Sequence, residues 1–251
     1  MSNITYLLFL GSGRTGSTLV GQLLNCHPNV LITNESRVLH RAVASRTKLS
    51  DHLSALMEVA HQELQKGTRQ YDSPGKAAHT RRWQRDWVNL SEVSKPEKGT
   101  IKYIGDKKQG GNTALLLENE EAVLDCIDFE YIPITVIRDP HQILASYIRL
   151  NDDAEESCKI VIRDTIAGYD FTKKKDGIIT RYEELLNSPE AWCRSITSRL
   201  QIECDESWTT LVKSSVNSEK QGYELSDDVG RYFRSQARYS EMMTKMGDSE
   251  L

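Results

Sequence analysis

Nowhere in the 251 residues does an apolar run approach the roughly 18 needed to cross a bilayer. The best run, residues 4–10, has no basic flank and leads into a glycine-rich turn, so it reads as neither signal peptide nor anchor. A basic surplus is also missing. The 36 acidic residues outnumber the 32 basic ones, for a formal charge of -4, and a general nucleic-acid binder needs the opposite balance to neutralise phosphates. The five cysteines, Cys26, Cys126, Cys158, Cys193 and Cys204, show no CxxC spacing, and the six histidines are dispersed. That argues against a zinc site or a disulfide framework and for reduced thiols in a cytoplasmic protein. Internal repeats and low-complexity linkers are absent too.

What is present is alternation. Short apolar runs at 4–10 and 132–137 read as buried parallel strands, with weaker strands at 30–33, 101–104 and 177–180. Between them Leu53, Leu56, Met57, Ala60 and Leu64 recur at helical spacing. Strand and helix in turn imply an α/β fold, one domain over residues 1–251, with a central parallel sheet flanked by helices. Ligands on such a sheet gather at the carboxyl ends of the strands. Residues 66–99 stand apart: polar, with Pro74 and Pro96, and with Trp83 and Trp87 among Arg81, Arg82 and Arg85. Four-residue spacing of the tryptophans reads as one packed face of an amphipathic helix, and the segment as an insertion on the substrate side.

The first strand runs into Gly11-Ser-Gly-Arg-Thr-Gly-Ser-Thr18 and a helix over 17–25. Three glycines in six positions let backbone N–H groups turn onto an anion, and the helix start adds unpaired donors. The loop is a poor match to one that binds a nucleoside triphosphate. In GxxxxGK[ST] a lysine serves the phosphates; here Ser17 holds that position and the cation is Arg14, inside the loop. A second anchor follows the strand at 132–137: Arg138 at its end, Pro140 at a helix start, and Ser146 two turns in.

Together these resemble the two nucleotide anchors of sulfotransferases that use 3′-phosphoadenosine 5′-phosphosulfate (PAPS). Arg14-Thr15-Gly16-Ser17-Thr18 matches their [KR][ST]G[ST][ST] loop, and Arg138 with Ser146 matches their 3′-phosphate pair. Three weaker matches follow in order: Gly105-Asp106-Lys107, whose lysine faces the transferring group in bacterial members; Tyr182 in a YE[DE]L-like segment, placed against adenine; and Arg231 in a late Gly-Arg-aromatic segment. Lys108-Gln109 replaces the usual Thr-Pro. The run from Arg14 through His27-Pro28 to Glu35, Arg37 and Arg41 is similar to tyrosylprotein sulfotransferases.

The resemblance implies a P-loop-like sulfotransferase fold and an enzyme. It would transfer a sulfuryl group from PAPS to a hydroxyl or amine of a small acceptor, as in natural product biosynthesis, leaving PAP. Thr15, Gly16, Ser17, Thr18, Arg138, Ser146, Tyr182 and Arg231 would bind the nucleotide. Arg14 and Lys107 would meet the leaving-group charge, and Glu35 would be the general base, held ionised by Arg37, with His40 and His27 as alternatives. No metal is expected, nor a nucleic-acid or membrane partner, and the oligomeric state is open. A protein or carbohydrate acceptor is the alternative within the class. A P-loop kinase or a non-catalytic nucleotide-binding protein is the alternative outside it.

Overall fold

The computed structural model describes residues 4–66, 97–149, 153–216 and 224–247. Its elements alternate as β1 (Thr5–Leu10), α1 (Ser17–Asn25), β2 (Val30–Asn34), α2 (Val38–Ser45), α3 (Leu53–Lys66), β3 (Tyr103–Lys107), α4 (Gln109–Glu118), α5 (Glu120–Cys126) and β4 (Glu130–Ile137). After β4 come α6 (Pro140–Ile148), α7 (Ala154–Lys174), β5 (Ile178–Arg181), α8 (Tyr182–Asn187), α9 (Pro189–Arg199), α10 (Glu206–Ser215), α11 (Asp227–Ser235) and α12 (Tyr239–Gly247).

The five strands form one sheet in the order β2-β3-β1-β4-β5, and every pairing is parallel. β1 is central, so both of its faces are covered. Leu7 and Phe9 pack with Val20, Leu23 and Leu24 of α1, and with Trp192 and Trp208 of α9 and α10. Tyr6, Leu8 and Leu10, on the opposite face by the period-two rule, pack towards α2, α3 and α5. A third cluster joins α6, α7, α11 and α12 around Ile143, Val161, Phe233 and Met242.

The buried tryptophans also satisfy their polar edges. Trp208 Nε1 donates to the Leu23 carbonyl at 2.7 Å, and Trp192 Nε1 donates to Thr180 Oγ1 at 2.8 Å. His27 belongs to this scaffold. Its ring lies edge-on to Trp208, its Nδ1 accepts the Asn29 N–H, and its Nε2 bonds the Glu203 carbonyl oxygen. Both of its ring nitrogens are thus engaged by backbone groups.

The chain leaves β1 towards β2 on one side of the sheet and β4 towards β5 on the other. The loops after β1 and β4 therefore diverge at a switch point, where parallel sheets bind ligands. β3 differs from the expected strand at 101–104 by running on through Gly105, Asp106 and Lys107. Pairing with β1 and β2 on both edges draws those polar residues into the sheet. Of the proposed insertion at 66–99, residues 67–96 lie outside the described residues.

Candidate active site

The loop after β1 is shaped by left-handed backbone. Gly11 and Gly16 have φ of 107° and 89°, and Arg14 has φ of 64°. Glycine takes such angles without strain; arginine does not. A side chain at Gly16 would put its Cβ 2.2 Å from the Tyr182 ring, so that position tolerates only glycine. Gly168 of α7 is as close to the loop, 2.3 Å from the Gly11 nitrogen to a notional Cβ. Side chains pin the rest. The Gly11 N–H donates to Thr113 Oγ1 at 2.7 Å, Thr15 Oγ1 donates to Gln109 Oε1 at 3.3 Å, and Gln109 Nε2 donates to the Val136 carbonyl at 2.9 Å. α1 then starts at Ser17 with no side-chain cap on Gly16. Its first N–H groups lack intrahelical acceptors and, with the helix dipole, favour an anion.

Across the crevice, Asp139 caps α6 by accepting the His141 N–H at 2.8 Å, and Pro140 takes the first turn. This helix buries Ser146 at 3% exposure. Arg14 Nε donates to Ser146 Oγ at 3.0 Å, and Arg138 Nη1 donates to the Arg14 carbonyl oxygen at 3.4 Å. The Arg138 guanidinium also lies 4.8 Å from the centroid of the Tyr182 ring. The two sequence anchors are thus one cluster. Tyr182 itself is buried under Arg138 and against Gly16.

At the carboxyl ends of β2 and β3 lies the second half of the site. Lys107, 4% exposed, places its Nζ 3.0 Å from Glu35 Oε1, while the Glu35 N–H donates to the Lys107 carbonyl. Burial alone would raise the Glu35 carboxyl. The Lys107 charge and hydrogen bond, with Lys108 and Arg37 behind them, win and hold it below the ordinary carboxylate range. Burial likewise pulls Lys107 below the ordinary lysine value, against the opposing pull of Glu35 and Asp106. The cation that keeps Glu35 ionised is therefore chiefly Lys107; the expected Arg37 contributes least among the named cations.

Glu35 and Arg37 both have φ of 58°, strained for their residue types. Fully buried Asp106 holds that turn. Its Oδ1 accepts from the Ser36 N–H at 2.9 Å and Thr33 Oγ1 at 3.0 Å, and its Oδ2 accepts from the Val38 N–H at 3.2 Å. The other non-glycine positive-φ residues, Arg46, Asp176 and Gln201, follow helix ends, where the left-handed turn is ordinary. Strain elsewhere marks the two site loops. His40 stands near this turn, its basicity lowered by burial and by Lys108.

Arg231 is not drawn into the cluster. It is exposed on α11 and paired with Asp228 one turn away. Three residues are added to those expected: Asp106, Gln109 and Glu63. Glu63 of α3 accepts the Asn34 N–H at 2.9 Å beside Glu35. Only Asp106 had a signal in the sequence, as the middle of Gly-Asp-Lys; Gln109 and Glu63 reach the site through tertiary packing.

A sulfotransferase family model matches residues 7–108, which span the loop, the Glu35 turn and Lys107. Three solved structures share the fold. The sulfotransferase domain from the Synechococcus PCC 7002 olefin synthase superposes with a TM-score of 0.51 at 15% identity, covering 97% of this chain and 94% of that one. The chain is thus similar to the sulfotransferase family over residues 7–108 and shares the sulfotransferase fold. Sulfotransferase STF9 from Mycobacterium avium gives 0.53 at 13% identity, over 98% of this chain and 76% of its own. The sulfotransferase domain from the curacin biosynthetic pathway gives 0.52 at 12%, over 95% and 98%. No curated protein matches this chain in sequence. Among the described residues no helix is long and apolar enough to cross a membrane.

Proposed function

We propose that this enzyme moves a sulfuryl group from PAPS to a hydroxyl or amine of a small acceptor in natural product biosynthesis, releasing PAP. The observation that carries the reading is the Arg14–Ser146–Arg138 cluster beside the uncapped start of α1. Two guanidinium groups and a row of N–H donors make a site for a ligand with more than one anionic group. Two of the structural neighbours are domains of biosynthetic systems, which supports a small-molecule acceptor. Cysteines that are all free support a cytoplasmic setting.

When bound, the donor supplies an activated sulfuryl group on a phosphate leaving group. Thr15, Gly16, Ser17 and Thr18 would hold the 5′ side, and Arg138 and Ser146 the 3′-phosphate. The adenine side would fall to Tyr182 and Arg231, although Tyr182 is covered by Arg138 and Arg231 pairs with Asp228. Arg14 and Lys107 meet charge that grows on the leaving oxygen, where pre-placed donors act most strongly. Glu35 takes the acceptor's proton. Arg14 and Lys107 would cover the charge for which a kinase uses magnesium, so this reading needs no metal.

Calorimetry with PAP and AMP tests the donor assignment. PAP should bind at least tenfold tighter, roughly 1.4 kcal/mol, with a difference that shrinks in Arg138→Ala. Chelator should leave sulfation unchanged. Equal affinities, or tightest binding of ATP with magnesium, would point to a kinase instead.

A further inference from the structure

Between α1, the end of β2, α3 and β3 lies a small polar cavity that adjoins the proposed donor site through Thr18 and Lys107. Thr18 and Gln22 line it from α1, Asn34 from β2, Glu63 from α3 and Lys107 from β3. Glu63 Oε2 accepts the Asn34 N–H, which sets this carboxyl at the carboxyl end of β2, one residue from Glu35. Its other oxygen makes no hydrogen bond among the described residues, and the buried Asn34 Oδ1 has no partner among them either. We infer that this cavity is an acceptor subsite for a protonated amine, held between Glu63 and the Asn34 amide oxygen. The inference rests on the proposed sulfuryl transfer only in taking the amine to be part of the acceptor.

Two neighbouring acceptor atoms call for a ligand with several protons to donate. A hydroxyl brings one and an ammonium three. The charges facing Glu63 point the same way. From β3 it sees Asp106 and Lys107; from α1 and β2 it sees only the neutral Thr18, Gln22, Asn25, Thr33 and Asn34. Lys107 is committed to Glu35 at 3.0 Å. Of the cations near Glu35, only Lys107 also acts on Glu63, and Asp106 opposes it there. Burial, aided by Asp106 and opposed by the Asn34 N–H and Lys107, lifts the Glu63 carboxyl to about 7. A carboxyl in that state gains most from an incoming cation. An anionic group would meet like charge, and a hydrocarbon would leave the polar lining unpaired. The space suits a group the size of a single ammonium.

The test follows Glu63 directly by carbon-13 NMR of glutamate-labelled, PAP-loaded enzyme, with its signal assigned by loss in Glu63→Gln. Titrations run in ethylammonium, tetramethylammonium or sodium chloride at equal ionic strength. Ethylammonium should lower the Glu63 midpoint by at least about half a pH unit, because it binds the ionised form, and the other two salts should not. Tetramethylammonium has charge but no N–H to donate. Equal midpoints in all three salts would overturn the subsite, as would an equal drop with tetramethylammonium. So would a midpoint in the ordinary carboxylate range throughout, which would mean that water or the chain itself already satisfies Glu63. PAP affinity, measured separately, should survive Glu63→Gln. Loss of PAP binding in the wild type would count against the donor reading and leave the cavity result standing.

Discussion

Replacing Glu35 by Gln keeps the side chain's shape and removes its basicity. PAP binding should be nearly unchanged, while single-turnover sulfation of an alcohol or phenol falls by roughly two to four orders of magnitude. Near-equal rates would dismiss Glu35 and leave His40 as the base to test. The same variant strips buried Lys107 of its partner, so the lysine should titrate lower still. Arg14 reads differently. Because its Nε rests on Ser146, Arg14→Ala should weaken PAP roughly tenfold, the loss of one charge-assisted hydrogen bond, and slow turnover further. Calorimetry and single-turnover rates separate the two effects; a change in affinity alone would make Arg14 an anchor only. Glu63 carries a pH signature. Its folded pKa is raised, to about 7, so the stability it contributes is present below the ordinary carboxyl value and lost as pH rises to about 7. Urea unfolding of wild type and Glu63→Gln should therefore shift in favour of the variant over that window. A constant difference would mean that Glu63 titrates normally.

At the scale of elements, the turn between β2 and α2 is held from a third element. Asp106 on β3 accepts the Ser36 and Val38 N–H groups, capping α2 across the sheet where Arg37 offers no side-chain cap. Asp106→Asn should cost on the order of 3 kcal/mol by urea unfolding, since buried donors lose a charged acceptor. It should also lower turnover at saturating PAPS more than PAP affinity, because the turn it releases carries Glu35. Unchanged turnover would make Asp106 a stability residue alone. This arrangement marks the limit of what sequence conveys. Residues 4–10 and 132–137 were legible as strands because each is apolar and too short for a helix, and the loop because glycines flank a cation before a helix start. β3 was misplaced because its end is polar, and pairing on both edges, not local pattern, makes it a strand. Glu35 was singled out through the resemblance of the run from Arg14 to Arg41 to tyrosylprotein sulfotransferases, but its partner was not. Lys107 lies 72 residues away and meets it only through the register of β2 with β3. Glu63 had no pattern at all; α3 brings it to Asn34.

For the whole molecule, the two anchors sit on loops from β1 and β4, with Tyr182 of α8 packed beneath both Gly16 and Arg138. A ligand that bridges those loops ties the centre of the sheet to its β5 side and should stabilise the fold as one unit. Binding to the folded state alone contributes about 2.7 kcal/mol at a hundredfold excess over Kd. For a chain of this size each kcal/mol raises Tm by roughly 2–4 °C, so saturating PAP should raise it by about 5–10 °C. AMP lacks the second phosphate, leaves Arg138 and Ser146 unused, and should give a clearly smaller rise at the same concentration. Arg138→Ala should bring the PAP shift down to the AMP level and leave the AMP shift unchanged. Differential scanning calorimetry over a PAP series decides the matter. If PAP and AMP shift Tm equally in the wild type, the loops do not act together on a nucleotide with two separate phosphates. The β4 anchor would then be a feature of the fold, not of the donor site.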